Sequence, residues 1–238
     1  DAGTWDESKV REWQDVAAES QRKGEKTHVG MVFGICVEKN SDQPIGSPDR
    51  KFKGRYVFRG NQVRNEYDDY AIFNELSSAP AGMQASKLVD CFGLLPGHTC
   101  ETSDAPAAYT QSKLGGTKTW VRLPYDQRPA SWKGKFRDPV VPLVLALYGH
   151  PDAGGYWEKH CEAHLRSVGF TDVEVWRSCF VHPKLKVFLV VYVDDFKMSG
   201  PTAAVKQAWA MVQKGIKIEP PEPCTRYLGC YHRIETIK

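Results

Sequence analysis

The sequence predicts an α+β fold: an antiparallel β-α-β-β-α-β sheet with helices on one face. Three observations point to it. Residues 187–193 are all apolar or aromatic and rich in β-branched side chains, and Asp194-Asp195 follow directly; this is the pattern of a buried strand ending in an acidic turn. Residues 195–199 then read as a return strand, closed by Gly200-Pro201. The third observation is the order around this hairpin: a strand ending at Asp104, a helix, a second helix, the hairpin strands, a helix over 202–214 and a last strand. That is the order of a ferredoxin-like sheet.

The acidic turn sets the chemistry. Successive strand residues face opposite sides, so Asp194 and Asp195 serve one site only if the chain turns there. Paired carboxylates beside an apolar strand are costly to leave bare, and the usual remedy is a divalent cation, most often Mg²⁺ shared with substrate phosphates. The plainer alternative is a solvated Asp-Asp turn.

The chain has 238 residues, 41% of them hydrophobic, enough to bury a real core in one large domain or two small ones. A net charge of +3 does not argue for nucleic acid unless basic residues cluster. Seven cysteines without a C-x-x-C pair favour reduced thiols inside a cell over a disulfide framework. No signal peptide, membrane-spanning run or repeat is visible, so no membrane partner is expected. The chain starts at Asp1 without Met and stops at Lys238 in a stretch that reads as strand, and is taken as a segment of a longer polypeptide.

Taken in order, residues 5–24 read as an amphipathic helix stopped by Gly24, 28–37 as a strand and 40–49 as a loop. Along 51–60 the odd positions are Lys51, Lys53, Arg55, Val57 and Arg59, and the even ones Phe52, Gly54, Tyr56, Phe58 and Gly60. The alternation implies a half-buried strand with a basic face, which either meets phosphate or is simply solvated. Residues 81–95 read as a helix stopped by Pro96-Gly97, and 98–103 as a strand. Residues 104–111 look like a strand-to-helix junction with Pro106 near the first turn, where Ser103 or Asp104 could serve merely as the N-cap. Gly115-Gly116-Thr117-Lys118-Thr119 lacks the spacing of a phosphate loop. Residues 120–123 read as strand, 124–142 as an irregular connection, 143–148 as an apolar element and 155–167 as a helix. His160 and His164, four apart on that helix, have no third ligand in sight and are read as helix surface. Residues 173–176 and 178–182 precede the central hairpin, and 227–234 read as a last strand pair or turn.

Two-metal phosphoryl transfer needs carboxylates converging near two cations roughly 3.5–4 Å apart, and Asp104, Asp194 and Asp195 could supply them. At these residues the sequence resembles a known family. Tyr192-Val193-Asp194-Asp195 is similar to the Tyr-x-Asp-Asp motif of reverse transcriptases, and its context resembles the copia-type (pseudovirus) branch of LTR retrotransposons. Leu147-Tyr148-Gly149 followed by Trp157, and Ser167-Val168-Gly169-Phe170, are similar to that branch's Leu-Tyr-Gly-x5-8-Trp and Leu-Gly-Phe landmarks. Lys53-Gly54-Arg55-Tyr56-Val57 resembles its Lys-Ala-Arg-Leu-Val strand, and Asp104-Ala105-Pro106-Ala107-Ala108-Tyr109 its Asp-Val-x-x-Ala-Phe/Tyr. Tyr227-Leu228-Gly229 resembles its Phe-Leu-Gly primer-grip motif. These landmarks fall in the family's order between about residues 8 and 235.

The resemblance implies an RNA-directed DNA polymerase, with fingers at 1–97 and 115–150, and palm at 98–114 and 151–238, where the primer grip begins. It implies Asp104, Asp194 and Asp195 as ligands of two Mg²⁺ ions, Mn²⁺ being a possible substitute, with the Ala105 carbonyl completing one ion. Lys53 and Arg55 would hold the incoming triphosphate, and Tyr148 and Gly149 would line the nucleotide pocket. Tyr109 would lie beneath the sugar and exclude a 2′-hydroxyl. Tyr192, Tyr227, Leu228 and Gly229 would meet the primer. Implied partners are an RNA and DNA template-primer, deoxynucleoside triphosphates, and the rest of a Pol polyprotein with thumb, RNase H and integrase. The implied setting is the cytoplasm, within retroelement particles. Asp152 and Pro106 depart from the family's Gln and polar residue. Two other classes compete: a truncated, non-catalytic nucleic-acid-binding relic, and a nucleotidyl cyclase, which would need no basic strand ahead of the sheet.

Overall fold

The computed structural model describes residues 3–73 and 79–235. The chain divides into two units, Asp1–Leu76 with Lys113–Ala153, and Ser77–Ser112 with Gly154–Lys238. In chain order the first half runs β1 (Arg11–Glu12), α1 (Trp13–Lys23), β2 (Thr27–Lys39), β3 (Lys51–Phe58), β4 (Arg64–Asn65), α2 (Met83–Gly93), β5 (His98–Asp104), β6 (Lys118–Arg122) and β7 (Pro139–Pro142). The second half runs α3 (Ala153–Ser167), β8 (Thr171–Val173), β9 (Trp176–His182), β10 (Val187–Tyr192), β11 (Asp195–Pro201), α4 (Thr202–Val212), β12 (Glu222–Pro223), β13 (Arg226–Tyr227) and β14 (Cys230–Tyr231). The chain is therefore mixed α+β. The strand expected at Lys238 lies outside the described residues, and no described helix is long and apolar enough to cross a membrane.

The first unit holds a sheet in the order β1-β7-β6-β2-β3, with β4 also paired to β2. β6 and β7 are central and bury Val121, Val140 and Val141 completely. Val16 of α1 packs on Val29, Trp120 and Val140, and Gly24, at φ +65°, closes the helix by donating to the Gln21 and Ser20 carbonyls. The helix starts at Trp13 rather than Trp5, because Asp6 caps a short 3-10 turn and Arg11–Glu12 is drawn into an edge strand against Val140 and Pro139. Residues 124–142, expected to be irregular, end in the fully buried β7. Its Val140-Val141 pair fills the core, and its two prolines sit at the ends, where a lost ladder bond matters least.

β3 departs from the half-buried strand expected of it. Residues 51–56 are exposed on both faces, Phe52 by 76%. β6 pairs only with residues 27–31 of β2, so the far end of β2 has β3 as its sheet neighbour and the two run on as a ribbon.

The second unit's sheet has the order β12-β5-β11-β10-β9-β8, antiparallel throughout. Val187, Leu189 and Val191 of β10, with Phe196 and Met198 of β11, pack against Trp157, Cys161 and Leu165 of α3 and Val205, Trp209 and Val212 of α4. Phe188 and Val190 point the other way and pack against Ala85 and Val89 of α2. Helices on one face were expected; α2 covers the second face as well. A strand that is apolar at every position is apolar on both sides, and both sides need cover. By the same packing α2 belongs to this unit, whereas the sequence-based boundary at residue 97 grouped it with the first. The junction at 104–111 is also not an α-helix: Ala107 adopts φ +53°, and only a 3-10 turn, Ala108–Gln111, follows.

Candidate active site

Register assembles the acidic residues. Tyr192 of β10 stands opposite Asp195 of β11, and Asp195 opposite Asp104 of β5. The three side chains therefore form one row on one sheet face, neighbours in such a row having Cβ atoms about 4.5–5.5 Å apart.

Val193 and Asp194 make the turn between β10 and β11. Val193 lies at φ +57°, a region that a β-branched side chain disfavours, at a typical cost of about 1–3 kcal/mol. Two hydrogen bonds hold it there. The buried indole of Trp157 donates to the Val193 carbonyl at 2.7 Å, and the Ala105 N–H donates to the Asp194 carbonyl at 2.7 Å. Trp157 was legible in sequence only as a landmark; the physical signal was a core indole whose N–H needs an acceptor.

The row is electrostatically unbalanced. Burial first, and then the charges of Asp194 and Asp104, push the Asp195 carboxyl up to about 6. In its protonated form it donates to Asp104. The register sets Asp104 directly opposite Asp195 and leaves Asp194 in the turn. Among the described residues the three carboxylates are not gathered within 4.8 Å of one another. The donor set is all oxygen, carboxylates plus the peptide carbonyl of Ala105, which suits a hard cation such as Mg²⁺ or Mn²⁺. A divalent ion held there would balance the charge of the row.

Tyr109 sits in the 3-10 turn rather than one turn into a helix. It is half-buried against the core of α3 and β10, and with Trp157, Val191 and Val193 it lines a small cavity of about 30 Å³. Burial, and then the charge of Asp194, raise its phenol above the usual range. Its ring is thus both a packing group and a neighbour of the acidic turn.

A cleft of about 400 Å³ lies along the row and includes Asp104, Asp195, Tyr227, Leu228 and Gly229. The Tyr227 hydroxyl donates to the Asp195 carbonyl at 3.3 Å. Leu228 and Gly229, at φ +47° and +81°, form the turn of the β13–β14 hairpin. Arg226, Glu219 and Glu222 also line this cleft. Sequence reasoning missed them because they meet Asp104 only through register, more than 100 positions along the chain.

The remaining candidates belong to the first unit. Lys53 and Arg55 stand on the exposed part of β3, and the Arg55 guanidinium lies over the Tyr148 ring at 5.8 Å. Gly149, at φ +88°, has a packing reason of its own, since a Cβ there would collide with the Phe58 carbonyl oxygen. The Tyr148 carbonyl accepts the Phe58 N–H at 2.7 Å. In the second unit His164 Nε2 lies 3.1 Å from the Met211 carbonyl, an ordinary helix-packing contact.

No protein-family profile matches the chain, and no curated protein does. Among solved structures it is similar to telomerase from Candida albicans, determined in complex with the TWJ fragment of telomeric RNA, at 10% identity and a TM-score of 0.40. The match covers 90% of this chain and 45% of that one, so the chain spans less than half the length of that neighbour. At that score the likeness is one of coarse path, and carries no weight for activity.

Proposed function

We propose that the chain is the fingers and palm of an RNA-directed DNA polymerase of a copia-like retrotransposon, a nucleotidyltransferase that extends a primer with deoxynucleotides. The observation that carries this reading is the row Tyr192–Asp195–Asp104 beside a strained acidic turn. The second unit, wired β5-α3-β10-β11-α4-β12, is then the ferredoxin-like palm, and the first unit the fingers. Asp104, Asp194 and Asp195, with the Ala105 carbonyl, would hold two Mg²⁺ ions, which when bound activate the primer hydroxyl and stabilise the leaving pyrophosphate.

The chain's own groups do the positioning. Trp157 and the Ala105 N–H fix the turn that presents Asp194 and Asp195. Tyr192, with Tyr227, Leu228 and Gly229 along the cleft, offers apolar and aromatic surface to a primer end. By the resemblance, Lys53 and Arg55 take the triphosphate through charge-assisted bonds, with Tyr148 and Gly149 beside the nucleotide. Tyr109 takes the place of the sugar gate, where overpacking by a 2′-hydroxyl costs about 1–3 kcal/mol, or roughly 5- to 150-fold in rate. Thumb, RNase H and integrase belong to the rest of the polyprotein, in retroelement particles of the cytoplasm.

The test is primer extension on an RNA template, with this chain and with a thumb-extended one. Deoxynucleotide incorporation is expected with Mg²⁺ and none with chelator. Tyr109→Phe should keep the preference for deoxynucleotides and Tyr109→Ala relax it. A thumb-extended chain that binds template-primer but never extends it, with either ion, rejects the catalytic reading in favour of a binding relic.

A further inference from the structure

We propose that Asp90, Cys100, Cys224 and His232 form a structural zinc site that pins the β13–β14 hairpin to the second unit's sheet. Its ligands come from four separate places: α2, β5, the residue after β12, and the residue after β14. The proposal does not depend on the polymerase reading.

Geometry carries it. β12 pairs with β5 as Glu222 with Thr102 and Pro223 with Glu101. The next step in that register sets Cys224 opposite Cys100, where the Cys224 N–H donates to the Cys100 carbonyl at 3.0 Å. Cys100 Sγ lies 3.9 Å from Asp90 Oδ1, and His232 Nδ1 lies 3.4 Å from the same oxygen. Donor atoms of Asp90, Cys224 and His232 all fall within 4.8 Å of one another, the one such group among the described residues. Ligands about 2.0–2.3 Å from a tetrahedral zinc ion are about 3.3–3.8 Å apart; the edges from Asp90 to His232 and to Cys100 are already near that spacing, and Cys100, which stands outside the group of three, would move in by about an ångström to complete the tetrahedron.

Charge points the same way. Lys197, two residues beyond Asp195 on β11, is completely buried, and its ammonium lies 2.5 Å from Asp90 Oδ1. Two thiolates and a carboxylate around Zn²⁺ carry one excess negative charge, and Lys197 cancels it. Binding releases the thiol protons to solvent, with no redox change. The backbone is arranged to deliver the last ligand: the His232 N–H donates to the Thr225 carbonyl at 2.9 Å, closing the hairpin that returns the chain from Cys224. That hairpin carries Tyr227, Leu228 and Gly229, so the ion would fix one wall of the cleft. Cys100 and Asp104 are four residues apart on β5, which places the ion on the same sheet face about 13 Å from the carboxylate row.

The experiment measures metal content by elemental mass spectrometry, on chain purified with reductant and zinc-supplemented buffer. One zinc per chain is expected, lost in Cys224→Ser and in His232→Ala and retained in Cys230→Ser, whose thiol lies outside the cluster. The wild-type chain exchanged with Co²⁺ should show a thiolate charge-transfer band and the intense visible bands of a tetrahedral ion, and a chelator should lower its Tm. If a cysteine variant does not fold, the cobalt spectrum of the wild type decides. Zinc-free wild type, a spectrum without thiolate ligation, or zinc undiminished in the folded variants would each overturn the proposal.

Discussion

Two carboxylates on the same face of the second unit's sheet meet opposite electrostatic treatment. Asp195 stands opposite Asp104 with Asp194 beside it, and every neighbouring charge that acts on it raises its proton affinity. Asp90, over the same face, meets the buried ammonium of Lys197, which also donates to the Ser86 carbonyl and hydroxyl. Lys197 follows Asp195 by two residues, about 7 Å along the strand, so the fold could have set a cation against the acidic row and did not. A carboxylate beside a buried ammonium is held ionised and in place, where it can tie elements together; one set among other carboxylates is held toward its protonated form until a cation balances the row.

The comparison breaks most sharply at catalysis. Asp104→Asn or Asp194→Asn should lower primer extension by roughly 10²- to 10³-fold or more, the scale of losing one electrostatic stabiliser. Asp90→Asn should leave the rate per folded molecule within a few-fold. Single-turnover extension, corrected for folded fraction, checks this, and equal losses at Asp90 and Asp104 would erase the distinction.

Stability should invert that order. Lys197→Met strands the Asp90 charge and should cost about 3 kcal/mol, read as a fall in Tm of roughly 6–12 °C. Asp104→Asn should leave Tm unchanged or raise it when divalent ions are absent, because it relieves repulsion.

A smaller effect lies in pH. The Asp195 carboxyl rises from its ordinary 3.8 to about 6 on folding, so the folded chain binds this proton more tightly than the unfolded one. That contribution is full below about pH 4 and is lost as pH rises through about 6. It amounts to about 1–2 kcal/mol once partial solvent screening is allowed for. Denaturant titrations in chelator between these pH values should show the loss, and Asp195→Asn should flatten it.

The smallest change sharpens the role of the turn. Trp157→Phe keeps the ring but removes the bond to the Val193 carbonyl, and should cost about 1 kcal/mol of stability. Its effect should fall on kcat with KM nearly unchanged; a loss confined to stability would make the indole a packing group only.

The central hairpin was legible because its signal is local. Seven apolar residues, two aspartates and Gly200-Pro201 need no distant partner to be read as strand, turn, strand, and β10 and β11 lie there. The loop after β2 and the glycine stop of α1 were local in the same way. Where a distant segment competed, reading along the chain failed. The first turn of the expected amino-terminal helix was taken by β7, and β7 was itself hidden among prolines. The basic strand looked half-buried because its alternation is real, but β6 does not reach it.

By itself the sequence determined that an apolar strand ends in Asp194-Asp195 and that another acidic strand end stands at Asp104. Tertiary structure decided the partners. It set Asp104 opposite Asp195, covered both sheet faces by bringing α2 onto Phe188 and Val190, and tied the turn to Trp157. It also gathered Asp90, Cys224 and His232, with Cys100 beside Asp90 and Cys224, which no spacing along the chain relates. The physical reason is register: which residue of one strand stands opposite which residue of another is settled by the packing of whole faces, and a shift of one residue would turn every one of these side chains to the other side.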